Sequence, residues 1–325
     1  MSYNDRGSQS WTDLTESEQL SMLTAYVIRN RAKLLRRYPN VLALGVGYKT
    51  KGGEVRPSLC IGFLVERKSQ DVSPAIPAFV SGFTRQIRKR KIAIPTDIEE
   101  IGDGSQNYLP VSNLATGVMV RSTEFPSKLI QGAICCLVSL KNENDVFALS
   151  CYHVLSMSLL HTGAVGTDKK ILVDSQGKNI GRFHEGSQRF AGNVNYIDVA
   201  LARIVPPMKV EWKHDIVPNS VNMGVSKPEN CAVYTGHGAL PAIFVKTWVR
   251  VKLQYGSSTV EVPAAYEFIS SAGPGDSGSP VMDIEGVLYG MHFWGRAGGF
   301  TLSVPAGYLF SATTFKKSKI NALVV

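Results

Sequence analysis

No stretch of the 325 residues approaches the roughly 18 uninterrupted apolar residues that a helical membrane span requires, so no membrane partner is expected. Residues 1–15 are polar and mixed in charge, without the apolar centre of a signal peptide, which points away from secretion. Cysteine is sparse: Cys60, Cys135, Cys136, Cys151 and Cys231 are odd in number, and none shares the CxxC spacing of a zinc site. That pattern argues against a metal and against a disulfide framework, and fits reduced thiols in the cytoplasm. Internal repeats, low-complexity tracts and coiled-coil heptads are also missing. A chain with 44% apolar and 19% charged residues nevertheless has the composition of a protein with a sizeable core. Its net charge of +9 admits acidic partners but also simply favours solubility.

The N-terminal third mixes helix and strand signals. Thr15-Glu16-Ser17-Glu18 reads as a capping box, and Leu20, Leu23, Val27, Leu34 and Leu35 recur near helical spacing, predicting an amphipathic helix over Glu16–Arg37 that Pro39 stops. Apolar runs at 41–48 and 59–65 flank Lys51-Gly52-Gly53 and predict a hairpin. A basic cluster follows at 85–91, then a short strand at 94–101 and a loop at 102–107. Without aromatic residues between the charges, the basic helix and cluster are better read as solvated faces than as a nucleic-acid site.

Beyond residue 115 the texture changes to short β-prone runs separated by turn signals. They lie at 117–121, 133–140, 146–150, 170–173, 198–204, 232–235, 243–253, 259–262, 281–291 and 306–310. Many short strands over some two hundred residues predict a sandwich or barrel. The expected division is a helix over 1–40, a small α+β module over 41–110 and a mainly β domain over 111–325.

Candidate chemistry centres on Gly273-Pro274-Gly275-Asp276-Ser277-Gly278-Ser279-Pro280-Val281. A serine between glycines on a sharp turn exposes its hydroxyl near free backbone N–H groups, the two needs of acyl transfer. Such a serine requires a base and a carboxylate to orient that base. His153 ends the β-prone run 147–155, whereas His161, His184, His214 and His237 lie in polar, loop-like contexts. Asp198 is a charge set into the apolar run 195–204, where a buried carboxylate wants a hydrogen-bonding partner.

The order His153, Asp198, Ser277, with the blocks Leu149-Ser150-Cys151-Tyr152-His153-Val154-Leu155, Ile197-Asp198-Val199-Ala200-Leu201 and Gly275-Asp276-Ser277-Gly278-Ser279-Pro280-Val281, resembles the trypsin/chymotrypsin-like serine peptidases. The resemblance covers about residues 115–314. It implies a chymotrypsin-like double β-barrel, the first barrel near 111–213 and the second near 214–325. It further implies Ser277 as nucleophile, His153 as proton shuttle, Asp198 as its orienting acid, and the backbone N–H groups of Gly275 and Ser277 as the oxyanion hole. A protein or peptide is the implied substrate. By the same resemblance Ser271 lies at the base of the substrate pocket and His292, Phe293, Trp294 and Gly295 along its far wall. An acid at Ser271 would signal Lys/Arg preference; a serine there makes basic substrates doubtful, and His292 stands where glutamate-specific relatives place a pocket histidine.

Two departures matter. No Ile-Val-Gly-Gly activation site precedes His153, so Asp276 either finds a partner other than a freed N-terminus or cleavage occurs elsewhere. Cys151 precedes the histidine, where secreted relatives carry an adjacent disulfide cysteine. Gly45-Val46-Gly47-Tyr48-Lys49 and Ile94-Pro95-Thr96-Asp97-Ile98-Glu99 look like the leading segment of intracellular trypsin-like proteins, whose job the pattern does not imply. Residues 1–110 are thus expected to serve a regulatory partner, the active site or assembly. The competing readings are a double-barrel binding or scaffold protein with a weak site and, ranked last, nucleic-acid binding.

Overall fold

Thr15 and Glu18 start the leading helix reciprocally: the Glu18 N–H donates to Thr15 Oγ1 at 3.3 Å and the Thr15 N–H to Glu18 Oε2 at 2.9 Å. The computed structural model describes residues 10–68, 74–83, 91–101, 118–122, 129–156, 170–173, 179–187, 194–205, 214–224, 227–255, 258–273, 275–296, 299–315 and 317–324. Helix α1 is Glu16–Arg37, and its stripe of Leu23, Val27 and Leu34 is buried with Leu44, Val46, Ile61 and Phe63 of strands β1 (Val41–Lys51) and β2 (Glu54–Val65). Gly52 and Gly53, with φ of 62° and 85°, turn β1 into β2. Strand β4 (Lys91–Glu100) runs parallel to β2 and antiparallel to β3 (Phe79–Phe83). These elements, up to Gly102, form one compact unit together with Val245–Val251 from far along the chain.

The second unit holds the rest. Its first sheet contains β5 (Val118–Ser122), β6 (Leu129–Gly132), β7 (Cys136–Leu140), β8 (Val146–Ser150), β9 (Lys170–Val173), β10 (Asn179–Gly186), β12 (Ala200–Ile204) and β20 (Ile320–Val324), in the order β20-β7-β8-β12-β10-β9-β5-β6. The one-turn helix α2 (Tyr152–Leu155) follows β8, and the short strand β11 (Val194–Tyr196) precedes β12. The remaining strands are β13 (Ser220–Val221), β14 (Cys231–Thr235), β15 (Gly238–Tyr255), β16 (Ser258–Ile269), β17 (Pro280–Met282), β18 (Val287–Arg296) and β19 (Phe300–Pro305). Among them β16, β19, β18, β17 and β14 lie side by side in that order, and the first residues of β15 pair with β14. The chain is mainly β with a leading helix, as expected.

Two expectations are corrected. The run 281–291 is not one strand: Asp283 Oδ1 accepts the N–H groups of Glu285 and Val287, and Gly286 takes φ of 81°, so a tight turn separates β17 from β18. The run 306–310 is not a strand: after Pro305, Ala306–Leu309 form the one-turn helix α3, closed by Phe310 N–H on the Ala306 carbonyl. Residues 85–90 of the basic cluster and the loop 102–107 lie outside the described residues, and Lys91 opens β4.

Toward the end of the chain, the buried carboxylate of Glu185 accepts the N–H groups of Lys317 and Ser318, each at 2.9 Å, and the Ser318 hydroxyl at 2.6 Å. Those bonds deliver β20 to the side of β7. All five cysteines are buried free thiols, and no helix among the described residues is long and apolar enough to cross a membrane.

Candidate active site

Strand β8 ends at Ser150, and α2 turns the chain so that His153 enters the interior with little exposure, 9%. Asp198 reaches it from the connection between β11 and β12. That connection is sharply kinked: Ile197 takes φ of 60°, which a β-branched residue rarely adopts, and the Val199 N–H closes on the Ile197 carbonyl at 2.9 Å. Ser187 holds the kink, its hydroxyl donating to the Ile197 carbonyl and its N–H to the Val199 carbonyl. The result aims Asp198, 1% exposed, at His153 twice over. Oδ1 accepts the His153 backbone N–H at 3.0 Å, and Oδ2 meets the ring Nδ1 at 2.5 Å. A carboxylate bound this way fixes the ring's orientation and leaves Nε2 as its other functional nitrogen.

The Ser277 loop is built on glycine. Gly275 and Gly278 have φ of 88° and 96°. A Cβ on Gly278 would stand 2.1 Å from the Ala133 carbonyl and 2.4 Å from Ser150 Oγ, so only glycine lets the loop lie against β8. The Ser277 carbonyl accepts the Ala133 N–H at 2.8 Å, while Gly132 leaves room for Val154, the residue after His153. On the other side, Gly278 N–H donates to the His292 carbonyl and His292 N–H to the Ser279 carbonyl. The N–H groups of Asp276, Gly278 and Ser279 are all engaged, whereas those of Gly275 and Ser277 donate to no described residue. Ser277 itself is half-buried. Asp276 finds a local partner, its Oδ2 accepting the Gly273 N–H at 2.8 Å. Burial raises its carboxyl above the ordinary value, opposed by the Gly273 bond and by nearby His237.

Of the pocket residues named from the sequence, Ser271 is exposed, Gly295 is half-buried, and His292, Phe293 and Trp294 are buried on β18, where a register shift between His292 and Trp294 marks a bulge. Burial pushes the His292 imidazole down to about 4, helped by its neighbour His153 and opposed by a bond to the Leu302 carbonyl. His292 is therefore neutral at pH 7. Its Nδ1 lacks a partner among the described residues, as do the hydroxyls of Ser279, Thr301 and Ser303, all buried. Ser303 stands directly across from His292 on β19, and Thr301, two residues away, shares its face. Each unpaired buried polar group costs about 1–3 kcal/mol, so a run of them on one face suits a ligand that would satisfy them.

Sequence reasoning missed Ser279, Thr301, Ser303 and the contact of Cys151. The strand pairing of β18 with β19 was the only route to Ser303, and nothing in the local sequence gives it. Cys151 Sγ donates to the His292 carbonyl at 3.4 Å. Burial and the Asp198 charge push its thiol well above the ordinary range. Cys151, His153 and Asp198 offer ligand atoms within 4.8 Å of one another, the one such trio among the described residues.

No protein-family model matches the sequence, and no curated protein matches it. Among solved structures the chain is similar to a glutamic acid specific serine protease described as using a histidine triad in substrate binding, at 14% identity over 63% of this chain and 98% of that one, with a TM-score of 0.43. It is also similar to Cellulomonas bogoriensis chymotrypsin (16%, 63% and 96%, 0.40) and to Thermobifida fusca protease A (13%, 64% and 98%, 0.41). At these identities the chemistry has to be read from the chain's own residues.

Proposed function

We propose that the chain is a serine endopeptidase in which Ser277 attacks a peptide carbonyl, His153 takes its proton and returns it to the leaving amine, and Asp198 stabilises the imidazolium. The observation that carries the reading is the doubly bonded, buried His153–Asp198 pair, which has the arrangement a general base needs and is costly to build for packing alone. The N–H groups of Gly275 and Ser277, which donate to no described residue, support their role as oxyanion donors, each worth about 3–4 kcal/mol in the transition state. Asp276 is already satisfied by Gly273, which supports activity without release of a new N-terminus. A fluorophosphonate probe tests both: the intact chain labels at Ser277, and Ser277→Ala does not. Labelling confined to a truncated species would reject the second point, and no labelling would reject the first.

His292, Thr301 and Ser303 favour a polar, non-basic residue on the substrate's acyl side, with an acidic side chain as the preferred occupant. A neutral His292 cannot pair with a carboxylate unless it takes up a proton on binding. The KM for cleavage after Glu therefore falls as pH drops from 7 to 5, while that for cleavage after Gln stays flat. A peptide series with Glu, Gln, Lys, Phe and Leu at that position decides it: cleavage after Phe or Leu with none after Glu would overturn the preference.

A further inference from the structure

The end of β10 bears on both members of the His153–Asp198 pair. Its last residue, Gly186, pairs with Ala200 of β12, and Ser187 follows. A Cβ on Gly186 would lie 2.3 Å from two atoms of the Tyr152 ring, so the ring rests where any other residue's side chain would begin. Tyr152, 5% exposed, immediately precedes His153 in the one-turn helix α2, and its ring meets Phe183 of β10 edge-on, the centroids 6.1 Å apart. A ring packed against two positions of one strand fixes the start of α2. The His153 N–H that Asp198 Oδ1 accepts leaves from that same turn.

Ser187 bears on the aspartate. Its hydroxyl donates to the Ile197 carbonyl and its N–H to the Val199 carbonyl at 2.8 Å, so the carbonyls on both sides of Asp198 are tied to one residue. From β16, the Glu261 carbonyl accepts the Ile197 N–H at 3.3 Å. Between these ties Ile197 is held at φ of 60°, a conformation a β-branched residue leaves when nothing over-determines it. Ser187 and Ile197 are each 2% exposed, which keeps water from replacing the hydroxyl. We propose that Gly186-Ser187 is a positioning pair for the reaction: Gly186 sets the stance of His153 through Tyr152, and Ser187 holds Asp198 toward it against the strain at Ile197. Both act through other residues, and the effect on rate rests on the peptidase reading above. The effect on the His153–Asp198 contact does not.

The test follows two signals on the full chain: hydrogen exchange of the His153 amide, which reads its bond to Asp198, and the pH profile of phosphonate labelling at Ser277. Ser187→Ala removes only the hydroxyl. It should speed His153 exchange about tenfold or more and slow labelling about tenfold to a hundredfold, the scale of a misplacement of roughly 1 Å. The acid limb of the profile should move to lower pH, because an imidazole with a weaker carboxylate contact holds its proton less tightly. Ser187→Ala/Ile197→Gly should restore all three, since glycine takes φ of 60° without strain and needs no hydroxyl to hold it. Gly186→Ala should also speed exchange and slow labelling, yet add nothing further in a Tyr152→Ala background, where the ring it acts through is gone. Ser187→Ala with exchange and labelling at wild-type rates would overturn the proposal. So would a folded Ser187→Ala/Ile197→Gly that restores neither, or a Gly186→Ala effect that persists in full without the ring. If Ile197→Gly does not fold, Ile197→Asn, which also accepts the left-handed region, takes its place; if Gly186→Ala does not fold, the Ser187 arm decides alone. A wild-type chain that never labels defeats the peptidase reading, while the exchange arm still decides this one.

Discussion

Acid should destabilise this protein through one imidazole. Unfolded, His292 titrates near 6.5; folded, burial holds it at about 4. A group whose folded value is depressed in this way favours unfolding wherever the unfolded chain binds the proton and the folded one refuses it. For His292 that window opens as pH falls below 6.5 and closes near 4. At about 1.4 kcal/mol per pH unit across it, the cost by pH 4.5 is about 2–3 kcal/mol. The assay is urea unfolding of Ser277→Ala, which excludes self-digestion, with and without His292→Phe, at pH 7.0 and 4.5. All other titrating groups are shared, so the difference of differences isolates His292. The variant should lose about 2–3 kcal/mol less than its parent on acidification. Parallel losses would show that the ring takes up its proton in the folded state and that His292 is not held neutral.

Asp198→Asn should keep the fold but slow Ser277 labelling about 10⁴-fold, read by intact mass against time, because the amide favours the wrong imidazole tautomer. Gly278→Ala should cost about 3 kcal/mol or more and abolish labelling, since the new methyl meets the Ala133 carbonyl at φ of 96°; a melting temperature within two degrees of wild type would contradict that, the two degrees being roughly 1.4 kcal/mol for a chain of this size. Thiol titration with a chromogenic disulfide should find almost no reactive cysteine in the folded protein and all five after denaturation, because each is buried.

What the sequence displays is what is local. The helix at Glu16–Arg37 is legible because cap, stripe and proline stop all agree over one contiguous span. The strands at 146–150 and 170–173 are legible because β-prone residues sit between clear turn signals. His153 and Asp198 stand out by context, yet nothing in either block gives the 2.5 Å contact between them, which depends on a left-handed isoleucine and a serine bond eleven residues upstream of Asp198. Where a turn is made by a side chain accepting backbone N–H groups, as at Asp283, an apolar run looks continuous and is not. The bonds of buried Lys246 to Asp97 and Glu99 are the least legible feature, because they join β15 to β4, and a lysine in an apolar run gives no sign that two acids about 150 residues earlier await it.

The clip at Glu185 has a consequence for handling the protein. Strand β7, with the sequence Cys136-Leu137-Val138-Ser139-Leu140, would offer an apolar, unpaired edge if β20 were not bonded along it. A carboxylate that ties down Lys317 and Ser318 is therefore also a guard against edge-to-edge sticking between copies. Trimming the chain before Lys317, or neutralising Glu185, would leave the fold's chemistry untouched and its solubility at risk.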